Sequence, residues 1–351
     1  MKGLVYHGKE DIRYQIVDDP KIEEPRDIIV RATACGICGS DLHVFHGEMT
    51  EIGSGLGLAR TFCVGHEAVG EVVETGKSVS RLKIGDTVML SGFVSCGYCV
   101  PCLRGNSKMC ESGGWNVYGF GTGLGGCQAE LIRVPGADYN AASIPEGISV
   151  EQAVLLTDNL PTAYCAVQNA CISAGRSVAV IGLGPIGLMV VELAMQMGAS
   201  VVYAIDLVPE RRQRAENLGA VPVNEADIIG FVTEATKGKM IDCAIEAVGS
   251  DKTMRLALDL VGIDGNVSIL GVNNNMGFTI PRQLFVNNVT IRGNFATEIP
   301  RYWKDLVNLL QQKKIAPEQF ITSRRPLSEG LEAYKAFNSD KSNTLKTILM
   351  P

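Results

Sequence analysis

Four cysteines at positions 96, 99, 102 and 110 constrain this chain more than any other short stretch of it. They stand in the run Cys96-Gly-Tyr-Cys99-Val-Pro-Cys102-Leu-Arg-Gly-Asn-Ser-Lys-Met-Cys110. Three thiols at two-residue gaps, closed by a fourth eight positions on, can converge on one tetrahedral cation. Four sulfur ligands in that geometry point to Zn²⁺ or an iron–sulfur centre, and the spacing and context favour zinc. Lys108 and Arg104 are placed to offset part of the negative charge that four thiolates leave on a metal. Disulfides are the competing reading. Met1-Lys-Gly-Leu-Val-Tyr-His opens without an apolar signal region, which predicts a cytoplasmic, reducing setting and argues against bridges.

At 351 residues the chain exceeds the size at which one core usually stops growing, so two domains are expected. No apolar run approaches the roughly 20 residues needed to span a bilayer. Net charge is −6 and no lysine/arginine cluster is present, so nucleic acid and anionic membrane find no support as partners. Only four histidines occur, at 7, 43, 46 and 66, and each can be weighed individually.

The first 150 residues read as short strands broken by glycine, over 28–34, 68–74 and 87–90, and predict a compact, barrel-like β domain. From Val150 to Ala170 apolar residues recur at helical spacing with Pro161 in the middle, which predicts two helices or a kink. Strands and helices then alternate: strand 177–181, helix 186–197, strand 201–205, helix 209–218, strand 240–246, helix 251–261 and strand 265–270. Alternation at this pace makes an α/β doubly wound parallel sheet. A last strand covers 289–293, and helices follow over 302–313 and 328–338. The glycine-rich stretch 118–128 predicts a turn beside the cleft, and 45–60 a loop ahead of His66.

Val178-Ala-Val-Ile-Gly182-Leu-Gly184-Pro185-Ile186-Gly187 is G-x-G-x-x-G placed directly after an apolar strand and before a helix, the context this motif requires. Gly182 permits the tight turn, Gly184 lets the backbone approach a pyrophosphate, and Gly187 lets helix and strand pack closely. The helix beginning at Pro185 and Ile186 offers free N–H groups and a positive dipole end to phosphates. Asp206 stands about 20 residues further on, where a carboxylate holds two ribose hydroxyls and repels a 2′-phosphate. NAD rather than NADP is therefore expected. The ordinary alternative for Asp206 is a helix N-cap. Arg211 either stacks on the adenine or sits on a solvated helix face. Val248-Gly249 and Leu270-Gly271-Val272 end two strands at the cofactor edge, where main-chain contacts to nicotinamide and ribose are expected.

The β domain also carries Cys35-Gly-Ile-Cys38-Gly-Ser40-Asp41-Leu-His43 and Gly65-His66-Glu67. A redox pair of the thioredoxin kind needs a βαβ setting, whereas the texture here is β with glycine. A cysteine, a histidine and carboxylates are instead the mixed ligand set of a catalytic zinc site, which keeps one position open. Spacing alone leaves open which cysteine ligates.

The landmarks Gly-Ile-Cys38-Gly-Ser-Asp-Leu-His43, Gly65-His66-Glu67-Ala-Val-Gly70, the four-cysteine lobe, Gly182-x-Gly184-x-x-Gly187 and Asp206 occur in one familiar order. In them, and over essentially its full length, the chain resembles the zinc-dependent medium-chain dehydrogenase/reductase superfamily, alcohol dehydrogenase type. The resemblance implies a Rossmann domain over 151–294 inserted in a GroES-like β catalytic domain made of 1–150 and 295–351, with a structural-zinc lobe at about 94–112. It implies one catalytic and one structural zinc per subunit, NAD as hydride acceptor and a small-molecule alcohol as substrate.

The resemblance also selects Cys38 as the ligand, leaving Cys35 a spare thiol, with His66 second. Glu67 either ligates or sits just behind the metal. Asp158, in Leu155-Leu-Thr-Asp158-Asn159-Leu-Pro-Thr162, takes the remaining place, which a helix-capping role would not exclude. Thr162 resembles the residue that packs against the nicotinamide. Asp41 is expected to accept a hydrogen bond from His66 and fix its ring. Ser40 would take the hydroxyl proton and pass it through the nicotinamide ribose to His43, histidine being the side chain that titrates nearest neutrality. His7 and His46 are left as surface or packing residues, and Cys63, Cys127, Cys165, Cys171 and Cys243 as small buried hydrophobes. A homo-oligomer is implied, tetramer before dimer, with strand 289–293 able to pair across an interface. Polyol, amino-alcohol and formaldehyde dehydrogenases are alternatives on the same fold. Asp158-Asn159 weighs mildly against the polyol branch, whose members show Glu-Pro there. A non-catalytic redox or structural protein predicts decay of the ligand and relay residues, all of which are present.

Overall fold

The run Ile-Ile-Val-Arg-Ala-Thr-Ala-Cys-Gly-Ile forms a ten-residue strand, Ile28–Ile37, buried along its whole length except at Arg31 and Thr33. Burial on both faces marks a central strand, and in a computed structural model of the chain it takes that place. Ala68–Thr75 pairs with it antiparallel on one side. On the other side lies the last strand of the chain, Lys346–Met350, with Thr347 opposite Ile37, Ile348 opposite Gly36 and Leu349 opposite Cys35. The two ends of the chain thus build one sheet, and its core collects Ile28, Val30, Ile37, Val64, Tyr334 and Leu349. Each such side chain contributes about 1.5–3 kcal/mol when fully buried. Lys346, equally buried, works against that gain and requires a partner.

The described residues are 1–48, 61–112, 116–224, 226–272 and 281–351. Most of the loop expected over 45–60 lies outside them, while Phe45 is buried at the end of the helix Gly39–Phe45. Two compact units emerge, Met1–Pro161 with Ala296–Pro351, and Thr162–Phe295. The first boundary therefore falls at Pro161–Thr162 instead of 150–151. The reason is local. Ser149 caps the helix Val150–Leu155 through a capping box with Gln152, the chain breaks over 156–158, and a second helix, Asn159–Asn169, begins within the first unit. Pro161 sits in the first turn of that helix, where a missing N–H costs little, so of the two expected outcomes, two helices or a kink, the chain takes two helices.

In the second unit six parallel strands lie in the order Val221–Val223, Val201–Ile205, Ser177–Ile181, Ile241–Glu246, Val261–Ile269, Thr290–Gly293. Strand order reverses between Ser177–Ile181 and Ile241–Glu246, and Gly182 leaves the sheet at that switch point, the usual place for a ligand. The alternation read from the sequence holds, with ends shifted by a few residues. The late helix begins at Ile299, because Pro300 stands in its first turn, and runs to Gln311. Cys171 departs from the expected buried set. It is exposed, in a left-handed conformation of φ +53° just past the helix Asn159–Asn169. Among the described residues no helix is long and apolar enough to cross a membrane.

Candidate active site

Cys38 stands where the strand Ile28–Ile37 passes into the helix Gly39–Phe45, as the helix N-cap. Its backbone N–H donates to Asp41 Oδ2 at 2.9 Å, which fixes the turn that carries the buried thiol. His66 follows Gly65, whose φ of +85° and contact with Gln128 leave no room for a Cβ. The 118–128 stretch packs on this glycine: Cys127 donates its N–H to Gly65 O at 2.8 Å, and Phe120 sets its ring 5.5 Å from that of His66. Asp158 enters from the break between the two helices.

These segments bring the Cys38, His66, Glu67 and Asp158 ligand atoms within 4.8 Å of one another, all buried. Cys38 Sγ lies 3.3 Å from Asp158 Oδ2, and His66 Nε2 lies 3.5 Å from the same oxygen. A tetrahedron with bonds of 2.0–2.3 Å has edges of roughly 3.3–3.8 Å, so these residues fit one zinc ion. His66 Nδ1 faces Asp41 Oδ1 at 3.0 Å, leaving Nε2 for the metal. The expected hydrogen bond is not formed; the two groups meet as a buried ion-pair contact.

Electrostatics agree with a cation site. Burial pushes the Cys38 thiol up, and the Asp158 charge adds to it. Burial also works to raise Asp158, but the His66 hydrogen bond and charge, with Lys346 and Cys38, outweigh it and hold the carboxyl at about 2. For His66, burial lowers the pKa, and Asp41 and Asp158 override this to hold the ring well above its ordinary value. A divalent cation would neutralise the same cluster of buried anionic groups.

Glu67 is engaged on both oxygens. Oε1 accepts from Asn159 Nδ2 at 2.7 Å, and Oε2 pairs with the Lys346 ammonium, neither residue of that pair being exposed. Lys346 also donates to Ile37 O at 3.0 Å. Burial raises Glu67, and the lysine charge opposes this. Sequence reading missed both Lys346 and Asn159. A lysine inside the apolar run Leu-Lys-Thr-Ile-Leu-Met was the available signal, because a buried charge demands a partner.

Ser40 Oγ comes within 3.2 Å of His66 Nε2. His43, one turn later on the same helix and about a third exposed, pairs through Nδ1 with Glu48 Oε2 at 2.5 Å, a partner sequence reading also missed. His7 bonds Gln15 and His46 bonds Asn338, consistent with packing roles.

The four-cysteine lobe forms a second cluster. Sγ–Sγ separations are 3.9 Å for Cys96–Cys102, 3.3 Å for Cys99–Cys102 and 4.0 Å for Cys99–Cys110. Zinc–sulfur bonds of 2.3 Å give edges of roughly 3.8 Å, so zinc fits here too, with every position taken by sulfur. Burial raises the Cys96 thiol, but the Tyr98 N–H, Ser112 and Cys99 outweigh it and bring it to about 6. Burial pushes Cys102 up to about 12. The role expected of Lys108 needs correction, since its ammonium pairs with the buried Glu298 at 3.3 Å. Arg104 is exposed. Asn140 anchors the lobe, accepting the Ser95 N–H at 2.9 Å and donating to Ser95 O at 2.8 Å.

In the second unit Gly182 has φ +93°, and a Cβ on Gly187 would lie 1.9 Å from Gly182 O. A Cβ on Gly184 would meet nothing within 4 Å, so the turn presents an open backbone face ahead of the helix Pro185–Gln196. Asp206 accepts the N–H groups of Leu183 at 2.7 Å and Val208 at 2.8 Å. It does not cap the next helix, whose N-cap is Val208. Arg211 is not on a solvated face: its side chain is mostly buried, 3.8 Å from Asp206. Gly249 and Gly271 meet backbone to backbone, a Cβ on Gly271 falling 1.9 Å from Gly249 N. Glu246, a buried carboxylate sequence reading passed over, organises this edge by accepting from Val248 N, Gly249 N and Thr253 Oγ1 at 2.9, 2.8 and 2.7 Å.

Two family models match the sequence, the alcohol dehydrogenase GroES-like domain over residues 24–146 and the zinc-binding dehydrogenase over residues 185–312. A probable zinc-binding alcohol dehydrogenase of Mycobacterium tuberculosis is 39% identical over 352 residues, covering 100% of this chain and 89% of that protein. An (R,R)-butanediol dehydrogenase of Bacillus subtilis is 30% identical over 361 residues, covering 100% of both. Among solved structures, the alcohol dehydrogenase of Thermus sp. ATN1 superposes with a TM-score of 0.92 at 36% identity, covering 100% of this chain and 99% of that one. With a GroES-like and a Rossmann-like unit and two zinc-competent clusters, the chain belongs to the zinc-dependent medium-chain dehydrogenase/reductase superfamily, alcohol dehydrogenase type.

Proposed function

We propose that this oxidoreductase converts an alcohol reversibly into its aldehyde or ketone, with NAD as the hydride partner and a catalytic zinc on Cys38, His66 and Asp158. The observation that carries the reading is the pair of 3.3 and 3.5 Å spacings that Asp158 Oδ2 makes with Cys38 Sγ and His66 Nε2. Zinc held there supplies Lewis acidity, the effect that lowers the pKa of water from about 15.7 to about 7. The side chains do the rest. Asp41 holds the His66 ring in place, while Asn159 and Lys346 keep Glu67 engaged. Ser40, beside His66 Nε2, receives the hydroxyl proton, and His43, backed by Glu48, releases it to solvent. The open backbone at Gly184 supports a dinucleotide pyrophosphate, and the carboxylate of Asp206 supports NAD over NADP.

Likeness to a butanediol dehydrogenase favours one second reading, a diol as substrate. We also propose a homo-oligomer, since Thr290–Gly293 ends the parallel sheet with an unpaired edge among the described residues that a second copy could extend; tetramer before dimer follows from the family resemblance alone. The test is reduced-nicotinamide absorbance from NAD with a panel of primary alcohols, secondary alcohols and vicinal diols. Turnover of at least one class, abolished by a strong chelator, supports the reading. Turnover surviving in metal-free protein contradicts it.

A further inference from the structure

Asn159 is almost wholly buried, and its single amide nitrogen faces three anionic ligand candidates. Nδ2 lies 2.7 Å from Glu67 Oε1, 3.1 Å from Asp158 Oδ2 and 3.4 Å from Cys38 Sγ. Carboxylates and thiolate are acceptors when ionised, so the amide nitrogen and not its oxygen must point at them. That nitrogen carries two hydrogens for three acceptors, and the shortest contact goes to Glu67. Lys346 holds the other oxygen of the same carboxylate. Glu67 is therefore pinned from both sides while its ligand atom remains inside the metal cluster.

We propose that Asn159 sets the coordination of the catalytic metal. Its amide keeps Glu67 as a hydrogen-bonded neighbour instead of a ligand, and so keeps a coordination position open beside Cys38, His66 and Asp158. An unpinned, buried carboxylate next to a divalent cation gains more by ligating it than by remaining unsatisfied. Asn159 acts through Glu67 and adds no charge to a site that already balances several. It is a positioning residue, and the inference rests on the metal centre described above.

The test uses cobalt(II) at the catalytic site, with zinc left in the four-cysteine lobe. In the wild-type protein the thiolate-to-cobalt band should appear, and added imidazole should shift it by taking the open position. Loss of that band in Asp158→Ala checks the underlying metal centre separately, and a wild-type protein without the band overturns both readings. Asn159→Ala, and the isosteric Asn159→Asp as a second variant, should keep the band but bind imidazole at least ~10-fold more weakly, within the range usual for outer partners of metal ligands. Adding Glu67→Gln to Asn159→Ala should restore the imidazole response. A wild-type response in both Asn159 variants, or no recovery in the double variant, overturns the proposal and leaves the metal centre standing.

Discussion

Asp206 Oδ2 accepts the backbone N–H of Leu183 at 2.7 Å, tying the end of the strand Val201–Ile205 to the glycine turn that leaves Ser177–Ile181. One carboxylate therefore braces the glycine turn, and under the proposed reading it would also meet the ribose of NAD. Asp206→Ala should weaken NAD by ~10–100-fold, as loss of charge-assisted bonds of about 1.5–3 kcal/mol implies. The preference over NADP should erode with it. The check is the ratio of kcat/KM for the two cofactors, and an unchanged ratio would shift specificity to other groups, Arg211 first.

Lys346 and Glu67 form an ion pair with neither partner exposed. Removing the cation alone strands a buried carboxylate, at a cost of about 3–5 kcal/mol. Lys346→Met should lower the denaturant midpoint accordingly, and combining it with Glu67→Gln should recover most of the loss. A single variant as stable as wild type would show that water or rearrangement satisfies Glu67.

The four-cysteine lobe should hold its metal independently of the reaction. Cys102→Ser is expected to lose one of two zinc ions per chain, keep the other, and open the 96–110 segment to proteolysis. Metal analysis with limited digestion decides this. Retention of both ions would remove the structural assignment.

Asp138, on the short helix Ala137–Asn140, gives a pH signature. It accepts from Ser80 Oγ at 2.6 Å, Ser80 N at 3.0 Å and Arg81 N at 2.9 Å. Burial pushes its carboxyl up, but these bonds outweigh burial and hold it below its ordinary value. A folded pKa below the unfolded one, about 3.9, gives stability that is present above that value and lost as pH falls through the folded one. Asp138→Asn should therefore be less stable than wild type by about 1 kcal/mol at neutral pH, with the gap closing in acid. Urea midpoints across pH measure it. A gap that stays constant into acid would assign the loss to geometry.

What the sequence revealed was local. Gly182, Gly184 and Gly187 announce themselves because a turn, an open approach and a close packing each exclude side chains within a few residues. The cysteine spacing at 96–110 works the same way. Lys346 and Asn159 stayed hidden because their partner, Glu67, reaches them only through sheet pairing between Ile28–Ile37 and the chain's last strand, and through the break at 156–158. The same break moved the domain boundary. The two helices on either side of it are among the expectations that Pro161 raises, whereas the expected boundary rests on the change of texture near residue 150. Cys171 was misjudged because composition favours burial for cysteine, whereas its left-handed backbone places it past a helix end.

The most direct test of the central claim is the rate of NAD reduction while zinc is titrated back into chelator-stripped protein, alongside Asp158→Ala. The rate should rise with the zinc that fills Cys38, His66 and Asp158, after the four-cysteine lobe has taken its own, and the variant should stay inactive at every zinc level. Full turnover before any zinc is added, or full turnover in Asp158→Ala, would contradict the account.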